Sequence, residues 1–176
     1  MCEEEDAMAA NAKPVSATRL VMAHGMTPQD ANTSGNVHGG NIMKLADSAA
    51  GVVAIRHSGR NCVTAAVDHF EFYDPVFVGN LVTLHASMNY VGRTSMEVGV
   101  RVEAEDLRTG KRTHTNSSYF LMVALDDKGK PTEVPKLLLE TAEDRRRNEE
   151  AAQRTIARRQ RKKKQGHHKC HARIAE

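Results

Sequence analysis

Tryptophan is absent from this chain of 176 residues, and there are only four phenylalanines and three tyrosines. Its core must therefore be packed from aliphatic side chains, and the central part holds ample Val, Ile, Leu, Met and Ala for that. No apolar run is long enough to span a bilayer. A basic start of the kind that opens a secretory signal is also missing: Met1-Cys2-Glu3-Glu4-Glu5-Asp6 is acidic. Cysteine is scarce, scattered and odd in number (Cys2, Cys62, Cys170), which excludes a disulfide framework and points to a reducing, cytoplasmic setting. The length suits one compact domain and leaves no room for a second full one.

What charge there is, is segregated. The net value is only +3, but the first residues are acidic, the middle is mixed, and Arg154 to Lys164 is densely basic. Three segments follow. Residues 1–14 are small, polar and acidic, and read as a flexible lead-in. Residues 15–138 carry the periodic patterns of a folded domain. Residues 139–176 form a charged, basic tail, either a solvated helix or partly disordered.

Within the domain, Val15 to His24 reads as a first strand, and Thr27-Pro28-Gln29-Asp30 as a turn. A helix is expected from Gly39 or Gly40 to His57, stopped by Ser58-Gly59. Its apolar residues (Ile42, Met43, Leu45, Ala46, Ala49, Ala50, Val52, Val53, Ile55) cover most of the circumference, so it should be buried nearly all round. Four strands follow: Cys62–Phe72, Leu81–Val91, Ser95–Asp106 and Lys111–Leu125. The third alternates most cleanly, with Met96, Val98, Val100 and Val102 inward and Glu97, Gly99, Arg101 and Glu103 on a wet face. Short connections at Gly92-Arg93-Thr94 and Leu107-Arg108-Thr109-Gly110 imply antiparallel hairpins. The architecture is α+β: one long buried helix wrapped by a curled antiparallel sheet.

The segment from Asn32 to Asp47 carries the chemistry. A polar loop, Asn32-Thr33-Ser34-Gly35-Asn36-Val37-His38, runs into Gly39-Gly40 at the helix start, where open N–H groups and the helix dipole favour an anion. One carboxylate, Asp47, stands on the otherwise apolar helix. An oxyanion site and a carboxylate are the minimum equipment for attack of water on a carbonyl.

Asp30-Ala31-Asn32, Gly35-Asn36-Val37-His38-Gly39-Gly40, Met43-Lys44-Leu45-Ala46-Asp47, Val63-Thr64-Ala65-Ala66-Val67-Asp68 and Gly92-Arg93-Thr94-Ser95-Met96-Glu97 together resemble the hotdog-fold acyl-CoA thioesterases, in particular the cytosolic acyl-CoA hydrolases. The likeness covers Val15 to Leu137 and not the tail. It implies a hotdog fold with a sheet of about five strands, hydrolysis of acyl-CoA to fatty acid and coenzyme A, no metal and no redox cofactor. It also implies that Asn32 and Asp47 are the paired site residues, with both present in one chain and hence two equivalent sites in a homodimer, and a trimer of such dimers.

On this reading Asp47 is a general base or, less simply, a nucleophile, Asn32 orients the water or the carbonyl, and the N–H groups near Gly39 and Gly40 receive the oxyanion. Asp47 lies seven residues beyond Gly40, roughly 10 Å along the axis, too far for one aspartate to serve its own helix start. A neighbouring subunit would have to bring the second half. Coenzyme A phosphates call for basic side chains: Arg93 with Thr94 and Ser95 in a turn, then Lys111 and Arg112. Val67, Phe70 and Met43 are candidates for the acyl slot. His38 is a base or, more simply, a structural hydrogen-bonder. His57 sits where a cation suits a helix C-terminus. Asp68 and Asp74 suit turn or ion-pair roles, and Cys62 reads as an ordinary buried cysteine. The run Arg158-Arg159-Gln160-Arg161-Lys162-Lys163-Lys164 lacks aromatics, so a nucleic-acid partner is not expected. His167, His168, Cys170 and His171 lack zinc-site spacing. Two rival activities share this pattern: a hotdog enoyl-CoA hydratase or dehydratase using an Asp–His pair, and a non-catalytic acyl-CoA-binding regulator.

Overall fold

The computed structural model describes residues 12–172, with side chains as far as 161. Seven strands and two long helices follow one another. They are β1 (Ala12–Pro14), β2 (Leu20–Gly25), α1 (Gly39–Ser58), β3 (Asn61–Phe72), β4 (Asn80–Val91), β5 (Ser95–Asp106), β6 (Arg112–Leu125), β7 (Lys136–Leu138) and α2 (Ala142–Ala172). Five of the strands make one antiparallel sheet in the order β2-β4-β5-β6-β3. The hairpins expected from the two short connections are there. The remaining pair, β1 and β7, is a small parallel ribbon. The first strand is shorter than its sequence suggests: Val15–Thr18 is a 3-10 turn, and Ala12–Pro14 is a strand rather than lead-in.

Helix α1 lies on one face of the sheet. His38 caps its start, its ring Nδ1 accepting the Gly40 N–H at 2.9 Å, and Gly59 ends it in the left-handed region at φ 66°. Ile42, Ala46, Ala49, Ala50, Val53, Ala54 and His57 form the buried stripe. Its four alanines let the sheet approach closely, and Leu84, Met96, Val98, Phe120 and Met122 fill the space. The helix is not buried all round. Met43, Val52 and Ile55 are exposed, with Lys44, Asp47 and Ser48 between them. This face lies beside β3, which is an edge strand with Val63, Val67 and Phe72 also exposed. A half-open apolar seam of this size runs down one edge of the molecule.

Helix α2 covers the other face of the sheet, so the alternating face of β5 is not wet. Glu97 is fully buried beneath Arg154 and Arg158. The segment from Ala142 is helical over the described residues, and Asp144 and Ala151 are buried in it. No helix is long and apolar enough to cross a membrane among the described residues.

Candidate active site

The loop before α1 is held from both sides. Thr27 and Asp30 form a reciprocal cap on the turn Pro28–Asp30, and these bonds hold the Asp30 carboxyl below its ordinary range. The Asp30 carbonyl accepts the His38 N–H at 2.7 Å, and its carboxylate accepts Asn41 Nδ2 at 3.2 Å, tying the loop to the first turn of α1. On the other side Val37 N–H donates to the Val76 carbonyl at 2.8 Å.

Inside this frame Asn32 Oδ1 accepts two backbone N–H groups, Ser34 at 2.8 Å and Asn36 at 3.2 Å. That network fixes which way the amide points. Its Nδ2 group has no acceptor among the described residues, so both hydrogens are open. Gly39 N–H, at the positive end of the helix dipole, has no acceptor among the described residues. Gly40 N–H, by contrast, is already given to His38 Nδ1, so of the two glycine N–H groups only that of Gly39 is open at this helix start among the described residues. Both glycines are needed for space. A Cβ on Gly39 would stand 3.0 Å from the Phe72 ring, and one on Gly40 3.0 Å from His38 Nδ1. His38 therefore caps the helix through Nδ1 and is not placed as a base through that nitrogen.

Asp47 stands on the exposed face of α1, beside β3, rather than in the interior. Thr64 Oγ1 donates to Asp47 Oδ1 at 2.5 Å and also touches Met122 Sδ at 3.4 Å. Thr64 was not singled out as a site residue by the sequence. The available signal was a hydroxyl within the apolar run Val63-Thr64-Ala65-Ala66-Val67 of β3. Eight residues of helix, roughly 12 Å of rise, separate Gly39 from Asp47. The strand repeats the separation: Thr64 marks one end of the β3 seam and Phe72, against Gly39, the other. Within one chain, Asp47 with Thr64 and Gly39 with Phe72 therefore lie well apart.

The basic candidates are not together. Arg93, in the β4–β5 turn, is 82% exposed and loosely paired with Glu133 at 3.7 Å. Backbone bonds hold its turn in place: Gly92 N–H to Ser95 carbonyl, Ala124 N–H to Thr94 carbonyl, and Val134 N–H to Arg93 carbonyl. Lys111 and Arg112 lie at the opposite end of β5, roughly 36 Å away along the strand, and Arg112 is engaged by Glu105 at 2.8 Å. One chain cannot close both sets on one phosphate.

Elsewhere, His57 is buried and burial pushes its pKa down, so it is neutral rather than the helix-end cation expected; its Nε2 meets the Pro135 carbonyl at 2.8 Å. Asp68 is an ion-pair residue, bound to Arg158. Cys62 is half-buried and touches Ser58 Oγ, and burial raises its thiol pKa. No cluster of three or more His, Cys, Asp or Glu side chains suits a metal among the described residues, and the side chains of His167, His168, Cys170 and His171 lie beyond those described.

A long helix laid on a five-stranded antiparallel sheet agrees with what the chain matches, the thioesterase superfamily. The chain belongs to that superfamily, which it matches over residues 34–111. It falls with the acyl-CoA thioester hydrolases, on a hotdog fold. A hexameric acyl-CoA thioesterase superposes with TM-score 0.83 at 36% identity, covering 86% of this chain and 97% of the other. The acyl-CoA hydrolase of Staphylococcus aureus, solved with butyryl coenzyme A, coenzyme A and coenzyme A disulfide, gives 0.81 at 32% identity, covering 87% and 93%. Protein VdlD of Helicobacter pylori is 47% identical over 119 residues, 68% of each chain. The S. aureus enzyme has also been solved with an asparagine, an aspartate or a threonine replaced by alanine. Those three positions are separated by fifteen and then seventeen residues, as Asn32, Asp47 and Thr64 are here.

Proposed function

We propose that this chain hydrolyses acyl-CoA to a free fatty acid and coenzyme A at sites shared between two copies. The observation that carries this reading is the separation of the half-sites: Asp47 with Thr64 at one end of the β3 seam, Asn32 and Gly39 at the other. An unpaired edge strand is normally protected, and pairing with a second copy protects it while covering Val63, Val67, Met43 and Ile55. The register follows from the chemistry. If two β3 strands pair antiparallel about Asp68, Thr64 of one faces Phe72 of the other, because each lies four residues from Asp68. Each arm also contains one irregularity, between Thr64 and Ala66 and between Asp68 and Glu71. This sets Asp47 of one copy beside the Gly39 N–H and Asn32 amide of the next.

The thioester carbonyl oxygen would then accept from Gly39 N–H, with Asn32 Nδ2 as second donor. Thr64 occupies Asp47 Oδ1 and leaves Oδ2 to take a proton from water as its oxygen attacks the carbonyl carbon. Collapse of the tetrahedral intermediate breaks the C–S bond, and the proton goes to the departing thiolate. The aspartate as direct nucleophile remains the variant route to the same products. Arg93 is assigned to the coenzyme A phosphates, being exposed and held by a rigid turn. The hexameric neighbour supports a trimer of dimers. The hydratase reading is weaker because His38 Nδ1 is taken by Gly40 N–H, which leaves only Nε2 for an Asp–His pair.

The test is release of free thiol from acyl-CoAs of graded chain length, with wild type and Asp47→Ala side by side. Turnover by wild type and a loss of about a hundredfold or more in the variant is expected. No release from any acyl-CoA would overturn the proposal.

A further inference from the structure

We propose that α2 is a strap across the dimer seam, and that the occupant of its far end is a second copy of this chain. The proposal rests on the reading of β3 as the seam. It begins from the path of the helix. Asp144, in its first turn, pairs with Arg19 just before β2 at 2.9 Å. Arg147 and Asn148 then bond Ser87 and the Asn89 carbonyl on β4, at 3.1 and 2.8 Å. Arg154 reaches Glu97 on β5 at 2.7 Å and stacks on the Tyr119 ring of β6, 3.7 Å from its centre. Arg158 and Arg161 meet Asp68 on β3, Arg161 at 3.7 Å. These contacts follow the spatial order of the strands, β2-β4-β5-β6-β3. The helix crosses the whole outer face and leaves over the seam. It continues to Ala172, roughly 16 Å beyond Arg161, where its own sheet has no further strand. The surface that lies there in a β3-paired dimer is the sheet of the second copy.

Charge supplies the second argument. Asp68 pairs across from Tyr119, on the outer face beneath α2. In the register derived above, Asp68 is the pivot and faces the partner's Asp68 with Cα atoms about 5 Å apart. Two carboxylates directly opposite each other on one face oppose pairing. Arg158 is at that point, 9% exposed on its side chain, bound to Asp68 and at 3.4 Å from buried Glu97, and Arg161 stands beside it. Each copy thus brings two guanidinium groups to a pair of like charges that the fold itself creates. The basic tail is explained as a neutralising element of the seam.

The test is the dimer dissociation constant of the full chain by analytical ultracentrifugation, for wild type, Arg158→Gln and Asp68→Asn/Arg158→Gln. Arg158→Gln should weaken the dimer by about tenfold or more, since it leaves the facing carboxylates uncompensated. Adding Asp68→Asn should return it to within about threefold of wild type. An unchanged constant in Arg158→Gln, or a double variant as weak as the single, would overturn the strap. A wild-type chain that is monomeric yet hydrolyses acyl-CoA would instead sink the shared site, and a dimeric wild type unaffected by both changes sinks the strap alone.

Discussion

Thr64 and Asp47 share one short hydrogen bond, and it decides how the carboxylate can act. With Oδ1 held by the hydroxyl, Asp47 presents its other oxygen in a fixed direction. Replacing Thr64 by Val keeps the volume and removes the donor. We expect kcat to fall by about ten- to a hundredfold with KM little changed, whereas Thr64→Ser should retain most of the rate. For Arg93 as the proposed phosphate contact the sign reverses: Arg93→Gln should raise KM for acyl-CoA and leave kcat near wild type, because such a contact, distant from the thioester, would bind ground and transition states alike. Steady-state kinetics of the three variants separates the two roles. At this scale the sequence was legible where residue type and backbone position coincide. Asn32, Gly39 and Asp47 stand out because a polar loop, a helix start and a lone carboxylate have few other uses together, and their catalytic roles belong to the proposal. Sequence cannot show that a neighbouring imidazole takes the Gly40 N–H. Thr64 was passed over because its meaning comes from Asp47, seventeen residues away on another element.

The elements show why periodicity gave the sheet and missed both helix faces. Alternation in β5 identifies Met96, Val98, Val100 and Val102 as buried, and they are. It also makes Glu97 look solvated, since a covering helix rich in arginine carries no apolar signal. What docks α2 is instead a buried ionic network. Glu97→Ala should destabilise the fold by roughly 2 kcal/mol, less than for a wholly buried pair because Arg154 keeps some solvent and Arg158 keeps Asp68. Urea titration at one protein concentration measures it, as oligomers require. Helix α1 makes a second prediction through His57. Its folded pKa lies below the unfolded value of 6.5 because burial disfavours the charged ring. Above that value both states are neutral and nothing is lost. Below it the unfolded chain takes a proton that the folded chain does not, so stability falls as pH drops, by at most about 1.4 kcal/mol per unit. Denaturation midpoints between pH 7.5 and 5.5 should decline, and His57→Gln should flatten the slope. The carboxylates with depressed pKa values act only below about pH 5 and leave this window clear.

At the scale of the molecule, helix rise in the sequence already separates Asp47 from the helix start, and the structure adds the surface that a second copy would cover in the proposed dimer, the exposed seam along α1 and β3. This separation allows a test that depends on geometry rather than on either residue alone. Asp47→Ala and Asn32→Ala chains should each be close to inactive. When they are mixed and allowed to exchange, a mixed dimer has one site with both substitutions and one site with neither. Random pairing of equal amounts gives half the dimers mixed, each with one of two sites intact, so activity should rise to about a quarter of wild type. Recovery must follow the exchange of subunits and saturate with it. If Asn32 and Asp47 of the same chain met in one site, every site in the mixture would carry one substitution, and no recovery would occur at any ratio. Thiol release measured against time after mixing distinguishes the two arrangements, and it does so without knowing which acyl chain the pocket prefers.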